Sequence, residues 1–325
     1  MPAISCTITE ELPEGLRLDR YVAEYLRLLS RSQIKARCLT GSINGKDVKL
    51  SRPVKQGDLI ELSWKEAEPL FLEPEDIPLD ILYEDERVVV INKGQRMVVH
   101  PGAGNRRGTL ANALCFRQLA RNGLLQPSAL RPDALRPDAL RPGALRPGIV
   151  HRLDKETSGV IIAAWDDEAL AFLADQFKTR KTRKTYIAII PGCLKDETGR
   201  IETCIARDSR DRKRFTVSER GKIAITFYKV LKTWRSHSLI MLRPKTGRTH
   251  QLRVHLRYLG HPIIGDSIYG ISDKLFPDAS LMLHAKSLAI TLPGETEPRT
   301  FKAPLPERFT SMMRVLDTIR AGANR

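Results

Sequence analysis

Two apolar runs enclose a short polar loop near the middle of the chain, and this arrangement constrains the fold most. The loop reads His-Arg-Leu-Asp-Lys-Glu-Thr-Ser-Gly over residues 151–159. Ile149 and Val150 precede it, and the apolar run 160–164 follows it. Such a run, bounded by polar residues, is typical of a buried strand. We therefore predict that the loop adjoins a buried strand, which would aim the carboxylate of Asp154 rigidly.

A second segment, residues 243–261, combines cations with a helical pattern. Its apolar positions have helical spacing: Leu252, Leu256 and Leu259. Thr249 is the predicted N-cap, and Gly260 is the predicted stop. Arg248 would then lie where the helix begins. Its fork of donors suits a carboxylate on a neighbouring loop.

Each of these features has a structural alternative. Asp154 alone could cap a turn or pair with Arg152. A solvated basic helix would account for Arg253 and Arg257. Tyr186 opens a strand-like apolar run, and on the residues alone it is a core or edge-strand aromatic.

Taken together and in this order, the three segments resemble the RluA-type family of pseudouridine synthases. The aspartate of the family's His-Arg-Leu-Asp loop is catalytic, which implies that role for Asp154. The resemblance also implies that Arg248 pairs with this aspartate, that Tyr186 packs on the target base, and that Arg152 helps to hold the opened RNA. Further similar stretches extend the resemblance over most of residues 77–305.

The chemistry that the resemblance implies is isomerisation of uridine to pseudouridine in RNA, with no cofactor. The base must leave its stack to react. Asp154 would act as a nucleophile at the sugar carbon or as a base at the neighbouring ribose position, and Arg248 would favour its charged form. Tyr186 would stack on the uracil and is a candidate for removing its carbon-bound proton. The seven histidines and five cysteines have no metal-ligand spacing, so no metal is expected.

The N-terminal residues predict a small module of two helices followed by a small sheet. The second helix would begin at Ser30, and the Ile-Asn-Gly-Lys step at 43–46 signals a hairpin turn. Residues 16–62 resemble the S-four-like RNA-binding domain. Three cations on the second helix are candidate RNA contacts, although a solvated surface is the alternative: Arg31, Lys35 and Arg37.

The charge balance agrees with an RNA partner. The chain carries 54 Lys and Arg against 38 Asp and Glu, a net charge of +16, which attracts a polyanion. An anionic membrane surface would also attract it, but no apolar run approaches the roughly 18 residues needed to span a bilayer. No signal peptide opens the sequence, so we expect a cytoplasmic protein without a membrane partner.

We predict three parts: an S-four-like domain at 1–64, a proline-containing linker at 65–78, and a catalytic domain at 79–325. The alternating strand-like and helical runs indicate an α+β fold with a mixed, largely antiparallel sheet and flanking helices. An Ala-Leu-Arg-Pro repeat occupies a predicted surface loop at 128–148, either as neutral sequence slippage or as an RNA contact. The basic run 207–214 adds two candidate RNA contacts, Arg210 and Arg212.

The two resemblances together favour large-subunit ribosomal RNA as substrate. A synthase directed at transfer RNA and a non-catalytic ribosome-assembly factor remain the alternatives. A hydrolase of glycosidic bonds would need a second carboxylate in defined opposition to Asp154, and Glu156 is not clearly placed for that. Nothing in the sequence indicates a large subunit interface, so a monomer is expected.

Overall fold

The computed structural model describes residues 2–26, 28–29, 33–34, 37–65, 72–102, 104–123, 148–211 and 213–322. The chain divides into two compact units, Met1–Phe71 and Leu72–Arg325. Within the described ranges, no helix is both long enough and apolar enough to cross a bilayer.

The first unit is built on a four-stranded antiparallel sheet in the order β1-β4-β2-β3. Its elements are β1 (Ala3–Thr7), α1 (Leu18–Glu24), β2 (Thr40–Ile43), β3 (Lys46–Val48) and β4 (Leu59–Ser63). Leu18 and Val22 of α1 are buried with Ile60 of β4 in a single apolar core. Asn44 and Gly45 join β2 to β3 with φ of 52° and 74°, the left-handed conformation that a tight hairpin requires. The predicted hairpin is confirmed.

The cations predicted for the second helix of this unit fall mostly outside the described residues. Arg31 and Lys35 lie outside them, as do Ser30 and most of that helix. Arg37 is described and lies in a turn just before β2. Its carbonyl accepts a hydrogen bond from the backbone N–H of Lys65 at 2.8 Å.

The second unit contains an eleven-stranded mixed sheet within the described residues. Nine strands run in the order β11-β10-β12-β13-β9-β14-β8-β6-β5, with β15 beside β14 and β7 beside β8. The strands are β5 (Ile81–Glu84), β6 (Val88–Lys93), β7 (Gly148–Ile149), β8 (Ser158–Ala164), β9 (Arg183–Pro191), β10 (Thr198–Arg207), β11 (Phe215–Val217), β12 (Lys222–Thr233), β13 (His237–Pro244), β14 (Leu283–Ile290) and β15 (Arg299–Lys302). Among these pairs only β14 with β8 is parallel, so the α+β fold with a largely antiparallel sheet is confirmed.

Four described helices flank this sheet: α2 (Leu110–Arg121), α3 (Asp167–Lys178), α4 (Gln251–Tyr258) and α5 (Glu307–Gly322). Side chains cap the N-termini of two of them. Thr109 and Asn112 form a capping box at α2, and the Asp166 carboxylate accepts from the N–H of Ala169 at 2.7 Å at α3. These caps satisfy backbone donors that have no partner within the helix.

The apolar run after the polar loop forms β8, and both faces of this strand are buried. Val160 and Ile162 belong to one apolar core, whereas Ile161 and Ala163 belong to a second core on the opposite face. Successive side chains of a strand point to opposite faces, so a strand covered on both sides reads as a continuous apolar run. The predicted buried strand is confirmed, and it anchors the end of the polar loop.

Gly159 is required where the polar loop joins β8. Its φ is +115°, and a Cβ at this position would lie 2.2 Å from the carbonyl oxygen of Ala285 in β14. The glycine therefore permits the close parallel pairing of β8 with β14. This contact fixes the exit of the loop that carries Asp154.

Parts of the predicted linker and repeat loop lie outside the described residues, namely 66–71 and 124–147, and so does Arg212. Residues 72–78 form no helix or strand but are bound to the start of α2. The Glu75 carboxylate accepts from the N–H of Gly108 at 3.0 Å, and the carbonyl of Glu73 accepts from the Asn112 amide at 2.7 Å.

Candidate active site

A cavity of about 450 Å³ in the second unit is lined by the polar loop, the start of β9 and the segment joining β13 to α4. Four residues singled out in the sequence meet there: Arg152, Asp154, Tyr186 and Arg248. They come from segments up to about a hundred residues apart. The fold thus brings the three sequence segments into one pocket.

Asp154 is the only acidic residue among the described residues that line this cavity. Its side chain is 20% exposed, and its carbonyl accepts from the N–H of Thr157 at 3.0 Å, which closes the loop into a turn. Seven Lys or Arg residues line the same cavity: Arg152, Lys178, Arg180, Lys184, Lys245, Arg248 and Arg253. The pocket therefore offers one carboxylate in a strongly cationic setting, which suits a polyanionic substrate.

The cation nearest to Asp154 is Arg253 rather than the predicted Arg248. Arg253 Nη1 lies 3.7 Å from Oδ2 of Asp154, and His250 Nε2 lies 4.0 Å from the same oxygen. Arg248 instead donates from Nε to the carbonyl of Ile223 at 3.1 Å. The backbone N–H of Arg248 donates to the side-chain oxygen of Gln251 at 3.0 Å. His250 lies just before α4 and Arg253 in its first turn, and both side chains reach the carboxylate of Asp154.

Arg253 is not the solvated helix cation that the sequence indicated. It is 3% exposed and makes a two-pronged ion pair with Asp266, both N···O distances being 2.7 Å. Asp266 also accepts from the backbone N–H groups of Ile268 and Tyr269, each at 2.9 Å. Burial opposes ionisation of Asp266, but the bonds and charge of Arg253 hold its pKa below its usual range. Local sequence shows only a basic helix, because the partner of Arg253 arrives through tertiary structure.

Helix α4 begins differently from the prediction. Its N-cap is His250, with φ of 55°, and no side chain of the cap residue bonds to the helix. The predicted cap, Thr249, lies one residue before it. Gln251, the first residue of α4, instead binds the loop before the helix: its Oε1 accepts from the hydroxyl of Thr246 at 2.7 Å and from the N–H of Arg248 at 3.0 Å. A glutamine is not a usual capping signal, so sequence pattern favoured the threonine.

Tyr186 lies in β9, as predicted, and lines the cavity. Burial and the charge of Asp154 both raise its pKa, so its phenol is neutral near pH 7. Lys184, two residues earlier, has its pKa lowered by burial. A neutral ring beside Asp154 presents an apolar face to the pocket.

His151 holds the start of the polar loop. Its Nε2 accepts from the backbone N–H of Ile162 at 3.1 Å, and its ring stacks on Phe177 with centroids 4.5 Å apart. Burial, with a smaller contribution from Lys184, lowers its pKa to about 3. The imidazole is therefore neutral and serves as an acceptor for β8.

Lys93 is a site-supporting residue to which the sequence analysis gave no role. It is 1% exposed at the end of β6, and its Nζ donates to the carbonyls of Gly94, Met97 and Lys155 at 2.8, 2.9 and 3.3 Å. Burial lowers its pKa to about 7, while the charge of Asp154 opposes the shift. In the sequence, the only sign of this role is that Lys93 lies at the end of an apolar strand. Through its bond to the carbonyl of Lys155, Lys93 ties the polar loop to β6.

Of the other predicted RNA contacts, the two that the structure describes, Arg37 and Arg210, are not among the residues lining this cavity. Arg210 is exposed in the turn before β11, where the Asp208 carboxylate accepts from its backbone N–H at 2.8 Å. Arg37 belongs to the first unit. In the described part of the chain, no group of His, Cys, Asp and Glu is arranged to hold a metal ion.

The chain is similar to known proteins over most of its length. The family model described as RNA pseudouridylate synthase matches residues 87–258. "Ribosomal large subunit pseudouridine synthase D" of Borreliella burgdorferi is 42% identical over 304 residues, covering 91% of this chain and 88% of that protein. The protein of the same name from Xylella fastidiosa is 38% identical, covering 93% and 89%. Among solved structures, Human RNA Pseudouridylate Synthase Domain Containing 1 has 28% identity and a TM-score of 0.55, covering 71% of this chain and 85% of that chain.

Proposed function

Because the chain belongs to the RluA-type RNA pseudouridine synthase family, and is therefore an isomerase of RNA uridines, we propose that its substrate is large-subunit ribosomal RNA and its catalytic carboxylate is Asp154. Two relatives that are named for the large ribosomal subunit support the choice of RNA. The S-four-like resemblance of residues 16–62 adds a second RNA-binding module to the proposal.

The observation that carries the proposal is the carboxylate of Asp154, which stands alone among seven cations in the described lining of the cavity. Hydrolysis of a glycosidic bond generally requires two opposed carboxylates, which the described lining of this cavity lacks. An isomerase that breaks and remakes the bond from sugar to base within one pocket needs only one. The cations suit the phosphates on either side of an extruded nucleotide.

Each residue has a proposed task in this reaction. Arg152, exposed beside Asp154 in the polar loop, contacts the RNA backbone and helps to hold the opened strand. Tyr186 stacks on the extruded uracil, and its raised pKa makes the neutral phenol a poor base. Asp154 acts at the sugar, either on the anomeric carbon or on the proton of the neighbouring ribose position. Arg253 orients the carboxylate through its contact of 3.7 Å, and Arg248 contacts the substrate from its place in the cavity lining.

Further RNA contacts outside the cavity are proposed on the basis of charge. They comprise Arg31, Lys35 and Arg37 of the N-terminal module and Arg210 and Arg212 of the basic run. Such contacts to phosphates add affinity and fix register without reading sequence. We further propose that the protein acts in the cytoplasm as a monomer.

The test is release of tritium from carbon-5-labelled uridine in transcripts of large-subunit ribosomal RNA and of transfer RNA. The proposal predicts release from the ribosomal transcript. Release from transfer RNA alone would move the substrate assignment to the alternative. Tight binding of the ribosomal transcript without release would favour a non-catalytic assembly factor.

A further inference from the structure

A tyrosine and a histidine form a hydrogen-bonded pair next to Asp154. The hydroxyl oxygen of Tyr269 lies 2.9 Å from Nδ1 of His250, and Tyr269 is 3% exposed. The other ring nitrogen of His250, Nε2, lies 4.0 Å from Oδ2 of Asp154. The imidazole thus lies between the phenol and the proposed catalytic carboxylate.

The direction of the bond from Tyr269 to His250 follows from its neighbours. The backbone N–H of Phe215 donates to the Tyr269 oxygen at 2.8 Å and occupies one lone pair. Within the described residues, the only acceptor in reach of the Tyr269 O–H is Nδ1 of His250. A nitrogen that accepts this bond carries no proton in the neutral ring, so the proton of His250 is on Nε2, toward Asp154.

Two further features of His250, its backbone conformation and its protonation state, are typical of a residue positioned for function. Its φ of 55° lies in the left-handed region, which a non-glycine residue adopts at a cost and which recurs at active sites. Burial lowers the pKa of His250, while the charge of Asp154 opposes that shift, so the ring is neutral near pH 7. A neutral donor orients a carboxylate without cancelling its charge.

We propose that Tyr269 is a positioning residue that fixes His250 as a neutral Nε2–H donor directed at Oδ2 of Asp154. The inference rests on the proposed role of Asp154. The gap of 4.0 Å between His250 and Asp154 shortens to a hydrogen bond when RNA fills the pocket, as catalytic hydrogen bonds often do on substrate binding. The bond then selects one orientation of the carboxylate before it acts at the sugar.

The first test reads the tautomer directly in the full-length wild-type protein. The chain has seven histidines, so selective nitrogen-15 labelling of histidine gives a small set of ring signals, and His250→Gln assigns the one in question. We expect a protonated Nε2 and an unprotonated, hydrogen-bonded Nδ1 at pH 7.5. Tyr269→Phe should shift the signals toward a mixture of tautomers. A wild-type ring protonated at Nδ1 would overturn the inference, whatever the activity of any variant.

The second test is the single-turnover rate of tritium release. Tyr269→Phe should slow release about three- to tenfold, the rate equivalent of one neutral hydrogen bond, with the Kd for RNA unchanged. Tyr83→Phe is the matched control, because its hydroxyl donates to Asp85 at 2.8 Å in the same unit and does not line the cavity. His250→Gln, which keeps an amide donor, should retain more activity than His250→Ala.

The outcomes separate this inference from the proposed function. Absence of release by the wild-type protein from every RNA would contradict the proposed function. Release by the wild type with an equal rate for Tyr269→Phe would contradict the positioning role alone. An effect of Tyr269→Phe confined to RNA affinity would also overturn it, since a positioning residue acts on the chemical step.

Discussion

Replacement of Arg253 by methionine removes two contacts of its guanidinium, the buried ion pair with Asp266 and the contact with Asp154. Asp266 has a side chain that is 0% exposed, and it pairs with Arg253 through two bonds of 2.7 Å. Removing one partner of a buried ion pair leaves an uncompensated charge and costs about 3–5 kcal/mol in the free energy of unfolding. A domain with an ordinary free energy of unfolding, about 5–15 kcal/mol, would be destabilised but would remain largely folded at low temperature.

The double variant Arg253→Met with Asp266→Asn removes that uncompensated charge. The asparagine oxygen can still accept from the backbone N–H groups of Ile268 and Tyr269, which both bind Oδ1 of Asp266. The double variant should therefore recover about half or more of the lost stability, as measured by urea unfolding. It should not recover turnover, because the contact of 3.7 Å between Arg253 and Asp154 is absent in both variants.

The expected loss of turnover is the value of one charge-assisted contact, about 1.5–3 kcal/mol, or about 10- to 100-fold in single-turnover tritium release. Arg248→Met is the matched control, because Arg248 lines the same cavity but bonds to the carbonyl of Ile223. It should weaken RNA binding more than the chemical step. Full recovery of turnover in the double variant, or an equal loss of the chemical step in Arg248→Met, would refute the assignment of Arg253.

Three further predictions concern the frame of the site. Lys93→Met should lower the free energy of unfolding by about 2–4 kcal/mol and reduce turnover, because three carbonyls lose their donor and one of them belongs to the polar loop; an unfolding midpoint equal to that of the wild type would contradict this. Gly159→Ala should cost at least about 3 kcal/mol, because its Cβ would lie 2.2 Å from the Ala285 carbonyl, whereas Gly294→Ala, with φ of +86° and no atom within 4 Å, should cost about 1 kcal/mol; similar losses for both would show that the close approach of β14 is not limiting. Burial holds the pKa values of His151, His255 and His284 at about 3, 4 and 4, below the unfolded value of about 6.5, so the unfolded chain binds more protons between those limits. Stability should then fall by about 1 kcal/mol per histidine per pH unit as the pH drops from 6.5 toward 4, and a free energy of unfolding that stays flat from pH 7 to pH 5 would be inconsistent with these neutral rings.

The sequence predicted those elements of the fold that depend on a few adjacent residues. The continuous apolar run 160–164 indicated a buried strand, and Asn44 with Gly45 indicated a hairpin, because each signal depends on a few adjacent residues.

The arrangement around Asp154 could be predicted only in part. The motifs indicated which segments meet, yet the choice between Arg248 and Arg253 depends on Asp266, which lies 13 residues beyond Arg253 and reaches it through the fold. The role of Gln251 at the start of α4 could not be predicted either, because its side-chain amide donates to the carbonyl of Ile225 and the hydroxyl of Thr226, which lie 26 and 25 residues earlier. The role of Lys93 was hidden because backbone carbonyls, which every residue carries, are its partners.

The most direct test of the account compares the wild-type chain with Asp154→Asn in single-turnover tritium release from large-subunit ribosomal RNA, with the RNA Kd measured in parallel. The substitution preserves size and removes the charge of the only carboxylate among the described residues lining the cavity. The account predicts release by the wild type, no release by the variant, and an RNA Kd within about threefold for the two proteins. Appreciable release by Asp154→Asn, with RNA bound equally well, would contradict the assignment of Asp154 as the catalytic carboxylate.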